Sequence, residues 1–438
     1  MFTNLRVPYG RSRILIRVPS SKLSGIIRPK KSKPLSDIDS YIKRKFSEVS
    51  FREQVYGKKG ITLIVNDITR PKFAKLILPE TLLEMKKVGI NFDDIKFIIA
   101  SGVHRSHSLD EIKELVGDFV FGRFKVVENR ASDKKSFSFF GRTSYGTDLW
   151  LNKCLEDSDF TIAIGNVEAH WFAGYTGGAK SILPGISFYE TVEQNHSMMF
   201  SPGAYTCNLD DNPVRRDIDE AGKIASLDLI INAVLDHNKK PIDIFIGNPI
   251  KAHREAVKKF DEIYKIPIKK KADIVIASVG GFPKDINLYQ AQKGMEYATY
   301  ALKRDGVLIL LAECREGYGD RIFEKYMLSN QSPEEIVEEL KERFTLGAHK
   351  TYGFIKALTR ARKIILISSI DHRRINKRFL TPAKNIEQAL KIAFDEVGHD
   401  SQIFVIPYAG LTIPYPEKGD SNIREQNLKS TFLIFSIR

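Results

Sequence analysis

Cysteine is nearly absent. The 438 residues contain three, Cys154, Cys207 and Cys314, far apart and in no Cys-x-x-Cys pair. This excludes a disulfide framework and a thiolate zinc site, and it fits a reducing compartment. No apolar run reaches the roughly 18 residues that a membrane-spanning helix needs, so no membrane span is expected. The opening Met1-Phe2-Thr3-Asn4-Leu5-Arg6 lacks the apolar region and small-residue cleavage site of an export signal. A cytoplasmic location is therefore expected. Internal repeats and low-complexity stretches are also missing. Acidic residues fall short of basic ones, 54 against 68, a net charge of +14. The excess is spread along the chain, as in Arg28-Pro29-Lys30-Lys31, Lys58-Lys59, Lys239-Lys240 and Lys269-Lys270-Lys271. No stretch has the aromatic-interleaved basic pattern of a nucleic-acid module. The expectation is a solvated basic surface, with a few cations reserved for an anionic ligand and no nucleic-acid partner.

What is present is a series of short Ile/Val-rich runs. They include 13–18, 61–65, 95–99, 160–164, 229–234, 242–246, 273–277, 307–311, 363–367 and 403–406. Continuous rather than alternating apolar character marks strands buried on both faces. Helical patterns lie between many of them, such as 76–88, 253–264 and 333–343. Strand and helix in alternation predict α/β layers with largely parallel sheets. The charged, Pro-containing stretch from Tyr264 to Lys271 suggests a boundary. The expected domains are 1–268, 269–416 and a tail, 417–438, whose final apolar run Phe432-Leu433-Ile434-Phe435 has no legible role.

In an open parallel sheet ligands bind beyond the carboxyl ends of the strands. Four such ends carry reactive side chains: Asn66-Asp67-Ile68-Thr69-Arg70-Pro71, Ser101-Gly102-Val103-His104-Arg105, the long block from Gly165 to Ser181, and Gly280-Gly281-Phe282-Pro283-Lys284-Asp285 with Asn287, Tyr289, Gln290 and Lys293 beyond it. Within the block, Gly174-x-x-x-x-Ala179-Lys180-Ser181 comes close to a phosphate-binding P-loop. It has alanine where that motif needs glycine, and Pro184-Gly185 falls where the motif's helix must run. Lys180 among small residues can instead serve as a phosphate contact, as a covalent attachment point through its neutral amine, or as a plain surface lysine. His104 and His170 each follow a strand end. Two imidazoles on opposite sides of a substrate carbon can take and give a proton near neutral pH. His196 can act as a metal ligand. His107, His237, His253, His349, His372 and His399 are read as structural.

The motifs Asp67-x-Thr69-Arg70-Pro71, Gly102-Val103-His104-Arg105, His170 through Gly185, Asn195-His196, Gly247-Asn248-Pro249, and Gly280-Gly281-x-Pro283-x-Asp285-x-Asn287-x-Tyr289-Gln290-x-x-Lys293 occur in order over most of the chain. Together they resemble the nickel-pincer lactate racemases and their 2-hydroxyacid racemase and epimerase homologues. The resemblance implies two Rossmann-like α/β domains with an interdomain active-site cleft. It implies nickel held by a pyridinium-3,5-bisthiocarboxylic acid mononucleotide joined to Lys180, with His196 as a further nickel ligand. His104 and His170 would be the paired acid/base groups, working alongside transient hydride transfer from the substrate's α-carbon to the cofactor. Asp67, Thr69, Gly177 and Gly178 would seat the cofactor, and Arg70, Gln290 and Lys293 would contact the substrate. Separate cofactor-building proteins would be needed for maturation.

One departure bears on substrate. The lactate enzymes are expected to place a tryptophan in the stretch matching Gly347-Ala348-His349-Lys350-Thr351-Tyr352, whereas both tryptophans here, Trp150 and Trp171, lie elsewhere. His349, Lys350 and Tyr352 offer polar groups instead, with Tyr352 as a substrate contact, which suits a larger or more hydroxylated 2-hydroxy acid. The alternatives are a carrier that binds the pincer nucleotide without turnover and, further off, a P-loop-like phosphate binder.

Overall fold

The computed structural model describes residues 1–417, so the expected tail, with its 432–435 run, lies outside the described residues. Two compact units form. One comprises Ser32–Asp261; the other joins Met1–Lys31 to the chain from Glu262 onward.

In the Ser32–Asp261 unit the buried runs assemble into a six-stranded sheet. Its order is Pro241–Gly247, Leu229–Leu235, Phe160–Asn166, Ile61–Asn66, Ile95–Ala100 and Lys125–Glu128. All pairings are parallel except that of Pro241–Gly247 with its neighbour. The central strand Phe160–Asn166 is buried at every position, as its uninterrupted apolar run predicts. One face packs on Ala74–Lys87, whose Ile77, Leu78, Leu82 and Met85 join Leu63, Val65, Phe97 and Ile99 in a single apolar cluster. The carboxyl ends of Ile61–Asn66, Ile95–Ala100 and Phe160–Asn166 lie side by side, because Asn66 pairs with Ala100 and Val65 with Ile164. Register alone thus brings three of the polar loops together.

The second unit has a six-stranded, all-parallel sheet of Thr381–Pro382, Lys363–Ile367, Leu302–Leu311, Ala272–Ser278, Ile403–Ile406 and Leu23–Ile26. The division differs from the expected 1–268 and 269–416 at the N-terminus. Phe2–Tyr9 and Ser12–Pro19 form an antiparallel hairpin, and its Val7, Ile16 and Val18 are buried with Ile274, Ile276, Ile309 and Val405. Leu23–Ile26 then supplies an edge strand. The N-terminal segment therefore completes the core of the sheet farther along the sequence. Among the described residues no helix is long and apolar enough to cross a membrane.

The buried ring of Phe97 stands edge-on to Phe124 at 5.2 Å. Phe97→Ala should cost about 3–5 kcal/mol of unfolding free energy through the cavity it leaves, read from the midpoint of urea denaturation.

Candidate active site

The site begins with a buried carboxylate. Asp67, at the end of Ile61–Asn66, is 1% exposed. Its Oδ1 accepts from Thr69 Oγ1 at 2.8 Å, and its Oδ2 lies 2.6 Å from His104 Nδ1. Burial pushes its pKa up, but the hydrogen bond and charge of His104, the Arg70 guanidinium and the Thr69 hydroxyl outweigh this and hold it below the ordinary carboxylate range. An ionised Asp67 can only accept, so His104 donates from Nδ1 and its neutral form carries the lone pair on Nε2. The His104 side chain is 45% exposed, with its ring anchored at one nitrogen.

The loop carrying His104 is tied to the glycine-rich block. Gly102 N–H donates to Gly185 O at 2.8 Å, and Gly185 N–H to Lys180 O at 3.1 Å. In the block, Ala169–His170 pairs with Gly174–Tyr175 in a two-residue antiparallel ladder. This leaves His170 and Phe172 at the turn. His170 Nδ1 accepts from Ala173 N–H at 3.2 Å, which leaves its Nε2 protonated in the neutral ring. The Phe172 ring is edge-on to His170 at 4.6 Å and to His196 at 5.0 Å, and the Lys180 amine stands 5.8 Å from its centroid. Three of the residues singled out in sequence thus surround one phenyl ring.

Lys180 lies on the short 3-10 turn Gly178–Ser181. The next α-helix begins only at Tyr189, so a P-loop's helix terminus is lacking here. Burial first, then the nearby charges of Arg215 and Arg70, push the Lys180 pKa well below its ordinary value. Arg70 therefore acts on both Asp67 and Lys180. Gly177 and Gly178 have φ of +81° and +60°, a region that L side chains rarely enter. A Cβ on Gly177 would stand 2.6 Å from Asn232 Oδ1, and one on Gly178 would stand 3.1 Å from the His253 ring. Gly178 N–H donates to Asn232 Oδ1 at 2.7 Å. Arg215, fully buried, donates to the carbonyls of Tyr175 and Gly177, while His253 Nε2 bonds Thr176 O at 2.8 Å. Three consecutive carbonyls are thus fixed from below.

His196 ends the helix Tyr189–Ser197 and is buried. Asn195 donates its amide to Val214 O and to Asp217 Oδ2, so its Oδ1 accepts from His196 Nδ1 at 3.1 Å. That bond fixes the ring and makes Nε2 the lone-pair nitrogen, as a metal-binding imidazole requires. Among the described residues no three His, Cys, Asp or Glu side chains converge on a metal position. Any metal here would take most of its donors from a bound group.

Gln290, Lys293 and Tyr352 belong to the other unit. Gln290 and Lys293 are on Leu288–Thr299, which is capped by Asn287 accepting from Gln290 N–H at 2.9 Å. Asp285 secures the preceding loop by accepting from Gly10 N–H at 2.7 Å and Glu313 N–H at 3.3 Å. From the helix His349–Leu358, Lys350 donates to Gln292 Oε1 at 3.2 Å and lies 5.3 Å above the ring of Tyr289, one helical turn before Lys293. Tyr352 is buried, with the Lys356 amine 5.9 Å over its ring. Burial and the neighbouring Arg360 charge, opposed by Glu296, lower that amine to about 8.

Sequence reasoning did not assign roles to Phe172, Asn195, Arg215 or Asn232. For Asn195 the available signal is an amide directly beside the candidate ligand His196. Arg215 had none, since only the fold buries it.

The chain matches the family model for the lactate racemase N-terminal domain over residues 9–207 and that for the C-terminal domain over 268–413. It is 33% identical to the lactate racemase of Thermoanaerobacterium thermosaccharolyticum over 95% of this chain and all of that protein. Identity to the lactate racemase of Lactiplantibacillus plantarum is 31%, over 81% of this chain and 85% of that one. The solved lactate racemase apoprotein from T. thermosaccharolyticum superimposes with a TM-score of 0.88, covering 94% of this chain and 100% of that one at 33% identity. A solved protein from Thermotoga maritima shares the fold at TM-score 0.66 and 17% identity, over 89% of this chain and 100% of that one. The chain belongs to the lactate racemase family of isomerases.

Proposed function

We propose that this chain racemises or epimerises a 2-hydroxy acid, using a nickel-pincer nucleotide tethered to Lys180, with His104 and His170 as the acid/base pair. The observation that carries this reading is the gathering of His170, His196 and Lys180 around Phe172, on a loop bonded to the one that bears His104. A carrier without turnover needs no such imidazole pair. The residues fit the group: a partly buried amine, an imidazole with its lone pair set on Nε2, a cradle that tolerates only glycine, and beneath it the buried amide nitrogen of Asn232, which lacks a partner. When bound, the nickel nucleotide supplies a reversible hydride acceptor.

The protein's own part is proton transfer and orientation. With their Nδ1 partners fixed, neutral His104 offers a lone pair at Nε2, and neutral His170 presents its Nε2–H as a hydrogen-bond donor; His170 acts as an acid when its ring also carries a proton on Nδ1. His104 is thus set as a base before any substrate arrives. Arg70 would hold the carboxylate, with Gln290 and Lys293 as further contacts, so that the α-carbon stays in place during transfer. Thr69 supports Asp67. Maturation would require separate cofactor-building proteins, and the reducing cytoplasm suits three cysteines with no disulfide among them.

Produced alongside that machinery, the protein should carry nickel and a covalent mass addition on Lys180. His196→Ala should lower bound nickel by metal analysis. His104→Ala should keep the mass addition while turnover falls by about 10²–10⁴; a native rate would sink the assignment.

The Lys180 environment predicts a stability signature in the protein without cofactor. A lysine whose folded pKa is depressed destabilises the fold below its unfolded value of about 10.4 and ceases to do so above it. Lys180→Met should therefore raise the melting temperature at pH 7, with the gain shrinking as pH approaches that value.

A substrate more polar than lactate is a second reading, favoured by Lys350, which packs against the helix that carries Lys293, and by the lack of a tryptophan in the 347–352 stretch. Across a panel of 2-hydroxy acids, those with a second carboxylate or extra hydroxyls should turn over at least as well as lactate. Lactate outrunning every polar analogue would overturn it.

A further inference from the structure

His107 was read in sequence as a structural histidine. Its side chain is 1% exposed and that of Glu128 beside it 7%. Nδ1 lies 2.5 Å from Glu128 Oε1, which also accepts from the His107 backbone N–H at 2.6 Å. On the far side of the ring, Nε2 accepts from Ile68 N–H at 3.2 Å. A backbone N–H can only donate, so Nε2 carries the lone pair and Nδ1 the proton, which goes to Glu128. Ile68 directly follows Asp67, and His107 follows His104 by three residues in the loop after Ile95–Ala100. The ring therefore joins the end of Lys125–Glu128 to the peptide next to the carboxylate that holds His104.

We propose that His107, backed by Glu128, is a positioning residue for the acid/base pair: it fixes the Asp67–Ile68 peptide so that the Asp67 carboxylate meets His104 Nδ1. The three neighbouring strand ends bring Asp67, His104 and Glu128 close, but strand register does not orient the peptide at Ile68. The imidazole does this by accepting from one loop while its own backbone belongs to the other. The proposal rests on the reading that His104 is an acid/base group.

The two ring nitrogens have separable mimics. Gln at 107 can set its Oε1 near the Nε2 position and still accept from Ile68 N–H, whereas Asn retains a donor toward Glu128 and loses that acceptor. In the nickel-loaded enzyme, His107→Asn should keep bound metal and Lys180 mass addition, lower kcat by about 10-fold or more and leave KM within about 3-fold. His107→Gln should retain most of kcat. Hydrogen exchange of the 61–72 segment in the cofactor-free protein should quicken in His107→Asn and not in His107→Gln. A loaded His107→Asn enzyme with native kcat, beside an inactive His104→Ala, overturns this proposal alone; an active His104→Ala overturns the reading beneath it. If His107→Asn does not fold, His107→Gln decides: loaded, with kcat down by about 10-fold or more, it overturns the proposal.

Discussion

A carboxylate removed from water must be paired or give up its charge, and this condition at Asp67 organises the site. Burial alone would favour its neutral form. His104, Arg70 and Thr69 reverse that balance; Thr69 and Arg70 belong to the same loop as Asp67, while His104 reaches it only if the loops after Ile61–Asn66 and Ile95–Ala100 approach closely. Its depressed pKa means that these partners stabilise the fold above the ordinary carboxylate pKa, a contribution lost as pH falls through the folded value. The same pairing orients the imidazole, so one electrostatic requirement serves folding and chemistry together.

Much of the fold was legible because both sheets are buried on two faces. Runs such as Ile61–Asn66 and Ala272–Ser278 need no alternation, and the model places strands on all ten runs read from sequence. The hairpin Phe2–Tyr9 with Ser12–Pro19 was legible as a strand but not in its destination. Val7, Ile16 and Val18 are buried while Arg6, Arg13 and Arg17 are not. Local pattern shows that one face is covered. It carries no information on which of two distant sheets covers it.

The site divides in the same way. His104 and His170 stand just beyond the ends of Ile95–Ala100 and Phe160–Asn166, where a parallel sheet exposes side chains to ligands, whereas Lys180 lies farther along the same block on the turn Gly178–Ser181. Their supports were not legible. Arg215 lies within the helix Pro213–Ile224, and a charged residue in such a helix ordinarily faces solvent. Here it is buried because the carbonyls of Tyr175 and Gly177 turn toward it. His253 is similar: its sequence position suggests only a helix, while its ring fills the space that a side chain on Gly178 would need. Supports of this kind are set by partners dozens of residues away.

Two histidines that look alike in sequence become chemically opposite through what each Nδ1 meets. An ionised carboxylate makes the His104 nitrogen a donor, and a backbone N–H makes the His170 nitrogen an acceptor. A donor on one ring and a lone pair on the other are what reversible proton exchange at a single hydroxyl requires, since two bases or two acids would stall after half a reaction. In the proposed reaction a proton taken up by His104 makes that ring an imidazolium, and His170 can give one without becoming an imidazolate only when its ring already carries a second. Asp67 Oδ2, 2.6 Å from His104 Nδ1, is in place to keep that nitrogen a donor while Nε2 takes the proton.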